Sequence, residues 1–335
     1  MNAKGLNFAR YALAKAVAGP DAIDFAERAW GRDSKAAMVT KAAISASSTD
    51  SQSALHGDFE AAAAEFLELV RSESIVGRLT GLRRLPHDTP YLRQTGTVSA
   101  NWVAEGKPMP ISNSSFVRDK LGLLKVTAVT VSTMELLEGP DADRILRTDL
   151  VAATREALDL AFIDPANAGI PDEKPASITN GLTALTGSGT LKTDVEAMVA
   201  EFDGDFSRAV FIGSPELFVK MNGNDYPNIG ARGGEIAGIP ALASSGVPDD
   251  GTGNSRLVLL DPGAVVYTGG DTAEIRTTDS ATIEMTDTPA GSALPPTEVD
   301  LVSLFQANAK AIGAMHYANW RREQSGGVVL MEGIA

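Results

Sequence analysis

The chain has no cysteine among its 335 residues, which excludes disulfides and thiolate-held metals. Histidine is scarce: His56, His87 and His316 are the whole set, and a nucleophilic triad would have to draw its base from them. His56 follows a Ser-rich linker, His87 sits in a Pro-flanked turn and His316 lies in an apolar segment, so a surface or packed role suits each better than catalysis. No G-x-S-x-G elbow occurs, and Gly106-Lys107 lacks the upstream glycine and the following Ser or Thr of a phosphate loop. Long hydrophobic runs are missing too, as is the charged-then-apolar start of a secretory signal, so the expectation is a soluble chain made in the cytoplasm. Asp249 to Asn254 offers oxygen ligands without the alternating spacing or distal Glu of a calcium loop, and reads as a turn. No catalytic residue, cofactor or metal is expected from this inventory.

What is present is apolar content of 44%, enough for a sizeable core, and an acidic balance of 43 Asp and Glu against 29 Lys and Arg. A net charge of -14 argues against a protein that grips nucleic acid, since phosphate binding rests on Lys and Arg. Val98 to Leu137 is the organising stretch. Its polar, Pro-bearing middle separates two alternating runs, the second of which, Leu124 to Val131, has the period and β-branched content of a half-buried strand. These runs predict an extended hairpin arm with little core of its own, which must find burial on something else.

Around the arm the pattern is mixed, which makes the fold class α+β. Asn2 to Ala46 reads as two short amphipathic helices broken at Gly19-Pro20, and Ser45 to Ser53 as a linker. Asp58 can cap a helix to about Arg71 or Ser74, after which Ser74 to Leu85 turns strand-like. Asp141 to Asp164 is the longest helix, with Ile145, Leu146, Leu150, Val151, Leu158 and Phe162 at three- and four-residue spacing. Pro165 to Gly189 is loop. Val195 to Phe202 and Ser214 to Met221 read as helices, Ala209 to Ile212 and Arg256 to Leu260 as strands, and the glycine-rich Asp225 to Gly238 as mobile. Ala264 to Tyr267, Ala273 to Thr277 and Ala281 to Met285 form separate strands; Val299 to Ala311 returns as another, and the Val-Val-Leu-Met run near the carboxyl end as an edge strand.

Several of these residues together resemble the major capsid proteins of tailed bacteriophages, whose shell fold is shared with encapsulin nanocompartments and herpesvirus capsid floor domains. The resemblance runs from roughly Asp58 to Arg322. It is carried by Trp102-Val103-Ala104-Glu105-Gly106, Phe116, the strand ending Val131-Ser132-x-x-Glu135-Leu136-Leu137, the loop from Phe162 to Leu182, Gly238-Ile239-Pro240 and the closing Ala314 to Arg322. It implies an amino-terminal helical arm and linker over 1–57, either a scaffolding remnant or, as expected here, a retained arm. A helix and lead-in follow over 58–81, then an extended loop over 82–123 and a peripheral domain over 124–189 braced by the spine helix 141–164. The axial domain covers 190–263, the peripheral return strands 264–322 and the tail 323–335. Arg83, Arg84, Trp102, Glu105, Lys107 and Phe116 are the implied contacts between subunits. The implied function is a major capsid protein, not an enzyme. Copies would assemble as pentamers and hexamers of an icosahedral head in the virion, around DNA held without sequence recognition and with portal, scaffold or decoration proteins as further partners.

Some members of this family fuse subunits through a Lys near the arm tip, an Asn and a Glu. Lys107 is in place, but the matching positions fall near Val302 or Ser303 and Ala309, while Asn308 and Glu298 are out of register, so no crosslink is expected. An encapsulin-like shell and an α/β hydrolase over Asp194 to Val265 are the alternatives.

Overall fold

The computed structural model describes residues 5–44, 68–70, 74–94, 101–103, 105, 107, 111, 115–139, 141–284, 301–324 and 326–334. Three helices come first, α1 (Leu6–Ala18), α2 (Ala22–Trp30) and α3 (Lys35–Ile44), where the periodicity suggested two. The third begins at Ser34, whose Oγ accepts from the Ala37 N–H at 3.2 Å, a cap that apolar spacing does not register. The helix expected from Asp58 falls outside the described residues except at 68–70, which are helical. Ser74 to Leu85 is not extended throughout: Ser74 Oγ accepts from Gly77 N–H and opens one helical turn, α4 (Ile75–Arg78). Only β1 (Arg83–Arg84) is strand.

The arm needs a larger correction. Its paired strands are β2 (Tyr91–Gln94) and β3 (Phe116–Asp119), antiparallel from Tyr91↔Asp119 to Gln94↔Phe116. The alternating run assigned to its second limb is a separate strand, β4 (Lys125–Thr133), which pairs with residues 309–317. A half-buried period-2 pattern says that a strand has one wet face, not which strand lies beside it.

After the one-turn α5 (Met134–Leu137) comes α6 (Ala142–Ile163), 22 residues long, with Leu146, Leu150, Val151, Leu158 and Phe162 buried at helical spacing. The rest of the chain supplies β5 (Leu185–Thr186), α7 (Leu191–Glu201), β6 (Val210–Gly213), α8 (Pro215–Met221), β7 (Ile229–Gly230), β8 (Gly233–Ile236), β9 (Ile239–Ala243), β10 (Ser255–Leu260), β11 (Val265–Thr278), β12 (Thr282–Glu284), β13 (Leu301–Ser303), β14 (Ala309–Arg322) and β15 (Val328–Ile334). Two expected strands are thus one, β11. The glycine-rich run expected to be mobile contains the short strands β7 and β8: Gly233 and Gly234 have φ of 95° and 149°, and a Cβ there would meet the Ala241 and Asn228 carbonyl oxygens at 2.2 and 2.0 Å. Glycine lets three short strands approach closely in this ribbon.

Two compact units emerge. One contains residues 1–78, 125–158 and 270–317; the other contains 79–124, 159–269 and 318–335. In the first, the amino-terminal helices interlock through fully buried Ala14, Ala22, Ala26 and Ala37, with Phe25 and Trp30 packed beside them. Small residues let helix backbones close up, and the Phe25 and Trp30 rings meet edge to face at 5.7 Å. Leu304, Ala309 and Ala311 form a second cluster with Val131 and Ile283.

The second unit is built on a seven-stranded mixed sheet, ordered β5-β15-β10-β6-β9-β8-β7. Its core contains Met198, Phe211, Leu217, Phe218, Ile236, Leu257 and Leu259. Ser214 caps α8 by accepting from Leu217 N–H at 3.2 Å, with Pro215 at the tolerated first position. The closing strand β15 is not an edge: it lies between β5 and β10 and is buried from Val328 to Met331. A four-stranded sheet ordered β1-β11-β14-β4 completes the architecture.

Candidate assembly surface

The loop after α6 shows how this chain holds irregular backbone. Asn167 Nδ2 donates to the Ala161 and Pro175 carbonyls at 2.8 and 2.9 Å, Asn180 Nδ2 to the Pro165 carbonyl at 2.7 Å, and Thr179 Oγ1 to the Ile163 carbonyl at 2.7 Å. Carbonyls that the helix end leaves without partners are satisfied by side chains. Trp320 joins the same region, donating from Nε1 to the Ala176 carbonyl at 3.0 Å and meeting the Phe162 ring at 5.3 Å. The Asp249 to Asn254 run is a turn, as expected. Asp250 Oδ1 accepts from Thr252 N and Oγ1 and from Asn254 N, and these bonds, led by the Thr252 hydroxyl, lower its pKa to about 2.

Against this well-satisfied background the arm is a different kind of surface. Its root is anchored. Tyr91, Leu121 and Val266 are buried together with Leu85 beside them. Arg83 Nη1 meets Glu323 Oε2 at 3.2 Å and its guanidinium lies 5.5 Å from the Tyr91 ring centre, while Arg84 stands over Tyr267 at 5.8 Å. Asp119 pairs with Arg321, and burial, then the Asp119 and Glu323 carboxylates, push the Tyr91 phenol up from its usual value. Beyond this root several of the described apolar side chains are exposed. Leu92 is 60% exposed and Phe116 56%, on the same face of the β2–β3 ladder, and Val117 is exposed on the other. Trp102 and Ile111 stand almost fully in water, and Glu105 and Lys107 are exposed.

The six residues singled out in the sequence therefore separate into two sets. Arg83 and Arg84 belong to the root and are already engaged within the chain, whereas Trp102, Glu105, Lys107 and Phe116 belong to the outstretched part. Leu92, Ile111 and Val117, also exposed, and the root residues Tyr91, Leu121 and Glu323 were not singled out. Clustered apolar residues in a segment with too little chain to cover them were the available signal for the first group. The root had none, because its members come from distant parts of the sequence. Among the described residues no group of three or more His, Asp or Glu could hold a metal, and no helix is long and apolar enough to cross a membrane.

Residues 59–290, spanning the arm, α6 and most of the seven-stranded sheet, match the model of the phage capsid family. The chain belongs to the phage capsid family. A capsid polyprotein of Pseudomonas phage PAJU2 is 32% identical over 363 residues, an alignment that takes in 98% of this chain and 54% of that protein, so the chain spans about half the length of this relative. Among solved structures, a chain of Mycobacterium phage Ogopogo superposes with a TM-score of 0.53 at 17% identity, covering 78% of this chain and 92% of its own. A chain of Gordonia phage Cozz gives 0.51 at 17% identity, covering 76% and 85%. At such identities these two likenesses show the fold, and the α+β class of the capsid-family chain agrees with it.

Proposed function

We propose that this capsid-family chain is the major structural subunit of a tailed-phage or prophage head. Copies assemble as pentamers and hexamers of an icosahedral shell around double-stranded DNA. The observation that carries this reading is the arm: a two-stranded limb anchored at Tyr91 and Leu121 whose Leu92, Trp102, Ile111 and Phe116 remain in water. Exposed apolar groups grouped on one projecting element gain roughly 25 cal/mol per Å² once a neighbouring copy covers them, less the cost of ordering the arm. In this reading residues 82–123 drape over an adjoining subunit, α6 acts as the spine of a peripheral domain and the seven-stranded sheet supports an axial domain. Lys107 and Glu105 make polar contacts across the subunit boundary, with no covalent link. Net charge of -14 suits a wall that encloses DNA without adhering to it. The role is structural and places the protein in the virion after assembly in the host cytoplasm. The phage capsid match favours this reading over a nanocompartment shell or a hydrolase.

Electron microscopy of the purified protein tests the assembly itself: closed shells are expected, and monomers alone would end the proposal. Deleting Leu92 to Ser115 should leave a folded subunit that builds no closed shells, and intact particles from that variant would remove the arm from the argument. Boiled denaturing gels of the shells should show single chains, without ladders of covalent oligomers.

A further inference from the structure

The four-stranded sheet ends on β4, with no other described strand beside it. Its register shows which backbone groups face outward. Residues opposite one another in an antiparallel pair alternate between those that exchange both hydrogen bonds and those that exchange none. Ala318 N–H donates to the Leu124 carbonyl at 2.9 Å and Met134 N–H to the Asn308 carbonyl at 3.0 Å. Both pairs continue the register that runs from Tyr317↔Lys125 to Ala309↔Thr133. The even-numbered residues of β4 therefore direct their N–H and C=O groups to β14, and Lys125, Thr127, Val129, Val131 and Thr133 direct theirs to the open edge.

Natural sheets protect such an edge with proline, bulges, inward charges or brevity. β4 has none of these over its 9 residues, and its one charge is Lys125 at the end. Val129, at the middle of the row, is 66% exposed. We propose that the open edge of β4 pairs with β4 of a second copy, antiparallel about Val129, so that two subunits of the shell share one continuous sheet. Several features select a second copy as the occupant. The row is symmetric about Val129, so pairing sets Lys125 against Thr133, Thr127 against Val131 and Val129 against itself. All outward donors then meet acceptors, and no like charges face each other. In a chain of net charge -14, this strand carries no acidic residue, so two copies can approach here without the repulsion met elsewhere. The pairing buries Val129 against a β-branched partner and adds main-chain hydrogen bonds between copies. It rests on the shell-forming role proposed above.

The absence of cysteine makes the test clean. In a pairing centred on Val129 the two Val129 Cα atoms lie about 5.5 Å apart, inside the roughly 4.4–6.8 Å that a disulfide spans. Two copies of Thr127 would be offset by about four residues, roughly 13 Å. Mild oxidation of shells built from Val129→Cys should convert most of the monomer band to dimer on non-reducing gels, while Thr127→Cys stays monomeric. A Val129→Cys chain that stays monomeric, or equal dimer from both variants, overturns the pairing. Amide exchange on the unaltered chain gives a second reading, free of any folding defect. Peptides over 125–133 should exchange more slowly in shells than in free subunits; equal exchange in the two states, including slow exchange in the free subunit because a segment of the same chain covers the edge, also overturns it. If the unaltered chain forms no shells, the capsid role fails; if it forms shells without these signatures, only the β4 pairing fails.

Discussion

The seven-stranded sheet and the hairpin arm belong to the same compact unit and are stabilised in opposite ways. In the sheet, Phe211, Phe218 and Met198 are fully buried, and α8 is capped and proline-initiated at its first turn. In the arm, one apolar cluster at Tyr91 and Leu121 holds the root, and Leu92, Trp102, Ile111 and Phe116 beyond it are exposed. The sheet's free energy is spent within one chain. The described apolar side chains of the arm are left exposed. The difference is where the burial occurs: on the proposed reading, one region serves the subunit and the other the assembly.

Substitutions should pull these two regions apart. The largest effect is expected from Phe218→Ala, which removes a fully buried ring that packs within about 3.0 Å of the space beside Gly213. A loss of about 3–5 kcal/mol in urea unfolding of the subunit is expected. Next comes Ser244→Ala, which removes the 2.8 Å hydrogen bond to Asp159 Oδ2 on α6, a carboxylate that is 1% exposed; about 1–3 kcal/mol should be lost on the same measurement. A smaller effect is tied to pH. The Asp250 carboxyl is lowered to about 2 in the folded chain, so the stability it adds is present above its usual value of 3.8 and disappears as pH falls through about 2. The difference in melting temperature between the parent and Asp250→Ala should thus be constant from neutral pH to about 4 and shrink below it. The smallest effect on folding is expected from Phe116→Ala in the arm, within about 0.5 kcal/mol for the isolated subunit. Yet that change should lower the yield of closed shells counted by electron microscopy. A large folding defect at Phe116, or normal shell yield, would erase the contrast between the regions.

Much of the architecture was legible where its cause is local. The long helix α6 appears almost as read, because Leu146, Leu150 and Phe162 recur at the period of the helix they form. Ser214-Pro215 announced α8 through its cap and its proline. The arm's register was not legible, because β4 pairs with a strand beginning at Ala309, and nothing near Val126 shows that His316 will lie opposite it. Ala264 to Tyr267 and Ala273 to Thr277 read as separate strands but are joined in one, β11 (Val265–Thr278), within which a Cβ at Gly269 would come within 2.3 Å of the Tyr267 hydroxyl. The apolar run of β15 fits burial on both faces better than a sheet edge, which was a missed signal. In the arm, Trp102, Glu105, Lys107 and Phe116, singled out from one contiguous segment, are exposed. Tyr91, Leu121, Val266 and Glu323 were not singled out, since the arm root collects residues from three separate stretches.

By itself the sequence determined the composition classes, the long helix, the Ser214-capped α8 and the family to which the chain belongs, since each depends on residues close together or on their order along the chain. Tertiary structure alone decided that Leu124 to Val131 pairs with the late strand rather than with the arm. It also decided that β15 sits inside its sheet and that β4 ends with a row of outward backbone groups. Strand neighbours are chosen by burial and hydrogen bonding between segments far apart in the chain, and a period of two records which face is wet without recording what lies alongside.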